Sequence, residues 1–312
     1  MSEHGERATE AVEPLAPGDR VDSATDVFVA HRNLLFTIVY EMLGSAADAE
    51  DVLQETWLRW VSIDLDTVRE QRAYLVRIAT RQALDRLRTL ARRKESYVGP
   101  WLPEPLLTMP DVAEDVELAE SISMSMLVVL ETLGPTERAV FVLREVFALD
   151  YDEIAEAVDK TPAAVRQIAH RARGHVAARQ PRGIVSPADT RAALSAFQRA
   201  VETGDLQHLL DILAPDVVAL SDGGGIKQAL LRPIVGADKV ARLYAASLNR
   251  VGAAISAEPV QVNGGPALIV RLNGEIDGVM AVLVEGGLVT RLYYVRNPEK
   301  LSRVERETVV SR

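Results

Sequence analysis

The spacing of apolar and polar positions divides this sequence into a helical first part and a second part that ends in strands. Apolar residues recur three and four apart through "VFVAHRNLLFTIVYEML" (27–43) and "AADAEDVLQETWLRWV" (46–61), which predicts two amphipathic helices. In the second, Ala49, Val52, Leu53, Thr56, Trp57 and Trp60 share one face, and Asp48, Asp51, Gln54 and Glu55 share the other. A third helix, over about residues 70–93, turns Tyr74, Leu75, Ile78, Leu84 and Leu87 inward and a row of arginines outward. Four prolines in "YVGPWLPEPLLTMPD" (97–111) predict extended chain, because proline also biases the residue before it away from helix. Helices resume near Val116, where Gly134-Pro135 separates "LAESISMSMLVVLETL" from "TERAVFVLREVFAL".

The sharpest local pattern is "LDYDEIAEAVDKTPAAVRQIAHRARGHV" (149–176). A short helix, Tyr151–Val158, precedes a turn, after which Thr161 is placed as N-cap and Pro162 as the first helical residue, where its missing N–H costs nothing. Val165, Ile168, Ala169, Ala172 and Val176 form the apolar stripe; Arg166, Gln167, His170, Arg171 and Arg173 point away from it. This is a helix-turn-helix with a basic, amide-bearing second helix. Beyond a Pro/Gly/Arg-rich loop (179–185), Ser186-Pro187-x-Asp189 opens a further helix. From Ile255 the period becomes two, and "AISAEPVQV", "ALIVRL", "GVMAVLV" and "LVTRLYYV" read as an antiparallel meander, giving a separate α+β domain.

Charge refines this division. The 312 residues carry a formal net charge of −10, but the charge is segregated. Arg69–Lys94 holds nine Lys/Arg against two acids, Glu95–Glu137 holds nine acids and no base, and Lys160–Arg182 holds six bases and no acid. Two basic blocks flanking an acidic connector suit contact with nucleic acid better than the overall sign does. The absence of cysteine excludes disulfides and thiolate metal sites, and the five histidines form no cluster at ligand spacing. No cofactor is expected. Residues 1–22 are polar and acidic rather than a basic-then-apolar leader, and "GVMAVLVEGGLV" (278–289) is too short and interrupted to span a bilayer. A cytoplasmic protein with a disordered start is the expectation.

Taken together, "DAEDVLQETWLRW", "AYLVRIATRQALDRLR" and "LDYDEIAEAVDKTPAAVRQIAHRAR", in this order and spacing, resemble a bacterial RNA polymerase sigma factor of the extracytoplasmic-function type. The tail resembles the SnoaL-like, NTF2-type cone domain attached to one group of these factors, with "DGGG" (222–225) and "NPEKL" (297–301) similar to its two signature motifs. The resemblance implies a multi-domain fold, two all-α sigma domains followed by an α+β cone. Its expected parts are a disordered 1–23, region 2 over 24–94, an acidic linker over 95–115, region 4 over 116–178, a second linker over 179–186 and the cone over 187–312. It also implies no acidic inhibitory amino-terminal region and no full region 3.

The same resemblance assigns roles. Asp48, Asp51, Gln54 and Glu55 would meet the β′ clamp helices of core polymerase, although the pattern alone better describes a solvated charge face. Arg77, Thr80, Arg81, Asp85 and Arg88 would engage the −10 element, Arg77, Arg81 and Arg88 along phosphates and Thr80–Asp85 at a base swung from the stack. Thr161, Arg166, Gln167, His170, Arg171 and Arg173 would read the −35 element beside the β flap, with Gln167 able to pair bidentately with adenine. The acidic linker would run near the RNA exit path as a mimic of nucleic acid, or serve as a plain spacer. Trp57 and Trp60 read as core rather than as a melting wedge. The implied partners are therefore core polymerase and double-stranded and melted promoter DNA, with no membrane and no dedicated anti-sigma factor.

"DGGG" is no P-loop, since Gly-x4-Gly-Lys-Ser/Thr is absent and Lys227 is followed by Gln228. By resemblance Asp222, Gly223, Gly224, Gly225, Asn297, Pro298, Lys300 and Leu301 form a regulatory joint against the sigma halves. The cone could hold a small ligand, and Asp222, Asn263, Arg271, Asp277, Arg291 and Tyr293 could line its cavity. A ligand-sensing regulator acting without polymerase, or a small-molecule enzyme carried on a DNA-binding module, are the alternatives of other classes.

Overall fold

The structure is a computed structural model that describes residues 17–109, 116–179, 186–203, 205–251 and 255–311. The expected disorder of 1–16, the acidic 110–115 and the Pro/Gly/Arg-rich 180–185 lie outside the described residues.

Helix α1 (Pro17–Leu43) begins earlier than the pattern suggested, so 17–23 are helical rather than disordered. Gly44, at φ +68°, ends it, and Ser45 starts α2 (Ala46–Trp60) by accepting the Asp48 N–H at 3.2 Å. With α3 (Gln71–Lys94) these helices make a bundle. Its core takes in Phe36, Tyr40, Leu75 and Trp60, whose indole N–H donates to the Ala24 carbonyl at 2.9 Å. Trp57 is only partly buried, packed at a tilt on Phe28 at 5.4 Å.

The single helix expected after Val116 is broken into α4 (Val116–Ser121) and α5 (Met124–Leu130). The break has a chemical cause. Ser123 turns its hydroxyl to cap α5 at Met126 N–H (3.2 Å), and the Ile122 carbonyl is taken by a side chain from the far end of the chain. Helix α6 (Pro135–Phe141) runs into a π-turn, and α7 (Tyr151–Val158) and α8 (Pro162–Ala177) form the helix-turn-helix. Asp150 and Glu153 make a capping box on α7, Asp159 closes it in the left-handed region, and Thr161 caps α8 through Ala164 N–H at 3.2 Å. All five expected stripe residues of α8 are buried.

The C-terminal part packs α9 (Pro187–Thr203), α10 (Leu206–Ile212) and α11 (Ala237–Val251) on a six-stranded sheet. Its strands are β1 (Leu213–Asp222), β2 (Ile234–Val235), β3 (Ile255–Val262), β4 (Gly265–Leu272), β5 (Glu275–Glu285) and β6 (Leu288–Val295), in the order β2-β1-β6-β5-β4-β3. The meander β3 to β6 is antiparallel as the pattern predicts; β1 adds to β6 in parallel, which periodicity could not foretell.

Strand β5 is buried along both faces because the sheet has two apolar sides. Ala219, Leu268, Met280 and Leu292 face the helices of the cone. Ile269, Val279, Leu283 and Val295 face the other way, onto Leu102 of the connector, Met124 of α5 and Val304 of the tail. The outer face of the cone is thus covered by the helical half. Among the described residues no helix is long and apolar enough to cross a membrane.

Candidate nucleic-acid interface and interdomain joint

The outward side of α2 carries Asp51, Gln54 and Glu55 exposed, while Asp48 is turned into an ion pair. Arg86 of α3 spans Asp48 (2.6 Å) and Asp51 (2.7 Å). The sequence reading missed Leu58, 66% exposed on the same helical side as Asp51 and Glu55. A leucine at a polar position of an amphipathic helix was the available signal.

On α3 the expected DNA-facing residues divide. Asp85 and Arg88 pair with each other at 2.8 Å and stay exposed. Arg77 instead reaches Glu156 of α7 at 3.0 Å, and Arg81 donates to the Glu156 backbone carbonyl at 2.8 Å. Thr80 is fully buried, its hydroxyl without a partner among the described residues, on a helix packed against α1, α2, α6 and α7. In this arrangement Thr80, which the sequence placed at a −10 base, is closed off from solvent. Periodicity places a residue on a helix face, but the covering of that face by a helix 75 residues on is invisible to it.

Helix α8 presents Thr161, Arg166, Gln167, His170, Arg171 and Arg173 to solvent. Arg171 lies 3.9 Å from Glu137 and Arg173 3.7 Å from Glu145, loose pairs that leave the guanidinia on the surface. The reading surface of the helix-turn-helix is therefore open, whereas part of the α3 surface is engaged by α7.

The joint between the halves is centred on the connector, which is no free spacer here: residues 102–106 are buried. Asp222, fully buried at the end of β1, accepts from the Tyr97 hydroxyl (2.6 Å), the Leu102 N–H (2.8 Å), the Gly224 N–H (3.0 Å) and the Lys300 ammonium (2.7 Å). Lys300 donates also to the Leu102 carbonyl at 2.6 Å and lies 3.9 Å over the Trp101 ring. Burial, opposed by Asp222, lowers its ammonium to about 8. Asn297 donates to Tyr97 (3.0 Å) and accepts from Glu299 N–H (3.1 Å), so "DGGG" and "NPEKL" meet each other and grip 97–102 together. Gly224 is required: a Cβ there would stand 2.4 Å from the Asn297 side chain, at a φ of +64°. Pro298 opens the short helix that presents Lys300, and Leu301 packs with the outer-face core.

The connector grips region 2 on its other side. The Glu104 carboxylate accepts from Ala46 N–H (2.7 Å) and Ala47 N–H (3.2 Å) at the start of α2, and its backbone N–H donates to the Gly44 carbonyl at 2.8 Å. Its acidity serves a helix terminus. Asn263, expected in the cone cavity, is at this joint instead: it donates to the Tyr40 hydroxyl (2.6 Å) and the Ile122 carbonyl (3.0 Å) and accepts from Leu106 N–H (3.1 Å). The asparagine-glycine turn between β3 and β4 was legible, but what its side chain would touch was not. Nearby, Arg138 and Lys94 both pair with Glu131, and Arg138 donates to the Glu41 carbonyl at 2.9 Å. The Glu41 side chain accepts from Ser121 (2.9 Å), and burial pushes its carboxyl up to about 8 against the pull of Ser121 and Arg138.

A strap unforeseen in the sequence completes the joint. The tail after β6 buries Val304 against the sheet and Val310 in the helical core, pairs Arg303 with Glu50 (3.4 Å), and brings Ser311 N–H onto Thr37 at 3.0 Å. Of the other residues expected in the cavity, Tyr293 faces the outer side of the sheet, Arg271 pairs at the surface with Glu305 (3.3 Å), and Arg291 is exposed. Asp277 does line a cavity. No group of residues able to hold a metal is present among those described.

A helical bundle with arginines along α3, followed by a helix-turn-helix whose basic α8 is open, is the arrangement of a DNA-binding protein. Residues 27–93 match sigma-70 region 2 and residues 123–176 match sigma-70 region 4. The chain is 35% identical over 289 residues to the ECF RNA polymerase sigma factor SigJ of Mycobacterium tuberculosis H37Rv, covering 88% of this chain and 92% of that protein. It is 30% identical to the probable ECF RNA polymerase sigma factor SigI of the same organism, covering 92% and 97% respectively. The crystal structure of M. tuberculosis SigJ superposes with a TM-score of 0.73 at 31% identity, over 91% of this chain and 99% of that one, cone domain included. The chain belongs to the ECF RNA polymerase sigma factors, and its activity is promoter recognition and transcription initiation.

Proposed function

We propose that this sigma factor is regulated in cis, its C-terminal domain holding regions 2 and 4 in a closed arrangement that initiation must open. The observation that carries this reading is the engagement of Arg77 and Arg81 by Glu156, made while the connector between the two regions is clamped by Asp222 and Lys300. In the open form α2 binds core polymerase through Asp51, Gln54, Glu55 and Leu58. Helix α3 then offers Arg77, Arg81, Asp85 and Arg88 to the −10 element, and α8 offers Arg166, Gln167, His170, Arg171 and Arg173 to the −35 element. Phosphate contacts supply affinity and register, and Gln167 supplies base discrimination of about 1–3 kcal/mol. The cone takes the place of a separate anti-sigma protein, in the cytoplasm where core polymerase works.

The cone is not an enzyme on this reading. The Asp277 carboxylate is held by Arg296 (2.8 Å), Tyr294 (2.6 Å) and Lys227 (3.4 Å); although burial opposes it, these partners keep its pKa below the usual carboxylate range, so it is a poor base. The test of closure is run-off transcription by core polymerase with the full chain and with Glu156→Arg, which sets like charge against Arg77 without touching core or joint. A faster rate for Glu156→Arg supports closure; an unchanged rate from a folded variant refutes it.

A further inference from the structure

The cone holds a partly open cavity of about 320 Å³ between its helices and the sheet, a size typical of small-molecule sites. Most of its wall is apolar, including Phe197, Leu243, Ile255, Leu268 and Met280. The Asp277–Arg296–Tyr294 cluster also lines it, with Tyr244 near enough to feel the Arg296 charge. The members of that cluster satisfy one another, but Tyr244 does not join them. Its ring packs edge-on against Phe197 at 5.0 Å, and its hydroxyl has no hydrogen-bond partner among the described residues. Burial holds this phenol above its ordinary range, so it remains an O–H donor at neutral pH.

Part of the cavity wall is shared with the interdomain joint. Gln228, Ala229 and Leu230 line the cavity, and the same loop touches the connector: a Cβ on Gly225 would lie 3.4 Å from Val98, and one on Gly99 would lie 3.2 Å from the Leu230 carbonyl. Arg296 joins the two sites. Its guanidinium donates to the Gln228 carbonyl, and its backbone N–H donates to the Asp222 carbonyl at 2.7 Å.

We propose that this cavity binds a small, largely apolar molecule bearing a hydrogen-bond-accepting oxygen at one end, received by the Tyr244 hydroxyl, and that its occupation steadies the 223–231 loop and holds the joint shut. The binding stands on the cavity alone; its consequence rests on the cis-regulation reading. A molecule that steadies the 223–231 loop steadies the contacts this loop makes with the connector, so it binds the closed arrangement better than one lacking those contacts and draws the equilibrium towards it.

The test uses the full chain and 8-anilinonaphthalene-1-sulfonate, a three-ring aromatic probe with a sulfonate head, read by fluorescence titration and by hydrogen exchange at the Leu102 and Lys227 amides. Saturable binding of one probe per chain is expected, and at ten times its Kd both amides, bonded to Asp222 and to the Gly223 carbonyl, should exchange about tenfold more slowly. Ala257→Phe places a ring into the cavity from β3 and should abolish binding; Tyr244→Phe keeps the shape and should weaken it about fivefold, the worth of one hydrogen bond. Absence of saturable binding, or binding undiminished in both variants, overturns the site. Probe binding that leaves Leu102 exchange unchanged overturns the coupling, and leaves cis-regulation to be decided by the transcription test.

Discussion

Replacing Asp222 by asparagine tests the joint at its centre. The side chain keeps its shape and loses its charge, so of the four donors converging on Asp222 at 2.6–3.0 Å, Lys300 and Leu102 would face an amide N–H₂ in the favoured orientation. Breaking a buried ion pair from one side costs about 3–5 kcal/mol, because the remaining charge stays desolvated without its partner. At 1.4 kcal/mol per tenfold, even the lower figure shifts the balance between closed and open forms by roughly 150-fold. Hydrogen exchange at the Leu102 amide should accelerate by that order, and run-off transcription with core polymerase should gain whatever the closed form withholds. The loss should shrink above pH 8, where Lys300 in the parent protein, lowered to about 8, has itself discharged. The double variant Asp222→Asn, Lys300→Met removes both halves of the pair and should recover most of the loss. A folded Asp222→Asn protein with unaltered Leu102 exchange and an unaltered transcription rate would refute the reasoning.

Further outcomes follow from other parts of the joint and surface. Glu41 titrates near 8 when closed and near its ordinary value of about 4.3 when exposed, so the closed form holds more protons between those limits and loses stability as pH rises through them. Thermal midpoints measured from pH 5 to 8 should fall for the parent protein and fall less for Glu41→Gln. Gly224→Ala must fit a methyl group 2.4 Å from Asn297 at φ +64°, and should cost more than about 1 kcal/mol in denaturant unfolding. Leu58→Ser, at a site 66% exposed, should leave stability within about 0.5 kcal/mol while weakening competition with another sigma factor for core polymerase.

What the sequence revealed depended on the range of the interaction. The turn, cap and stripe of the helix-turn-helix are set by residues three or four apart, and Thr161, Pro162 and the α8 stripe stand where the pattern puts them. The meander of β3 to β6 is equally local. The joint is not. "DGGG" and "NPEKL" lie about 75 residues apart, and the connector that they hold lies more than 100 residues before the first of them. Proline and acidity marked that connector as an extended linker, a mimic of nucleic acid or a plain spacer; here Glu104 is buried on two helix N–H groups. Asn263 was misplaced, and Thr80 is covered in this arrangement, for the same reason: each is decided by a surface contributed from a distant part of the chain.

The strap and the β3–β4 turn bear on when the molecule becomes closed. Asn263 bonds to Tyr40 across 223 residues, and Ser311 bonds to Thr37 across 274, whereas the caps of α2, α5 and α8 each bridge three. Contacts of such long range carry the largest loop-closure entropy and form last. The helical halves therefore fold first, with the connector between them unclamped until the cone docks. Under the proposed cis-regulation, a freshly made chain is unclamped for that interval, and initiation would follow the rate of synthesis before it followed the standing amount.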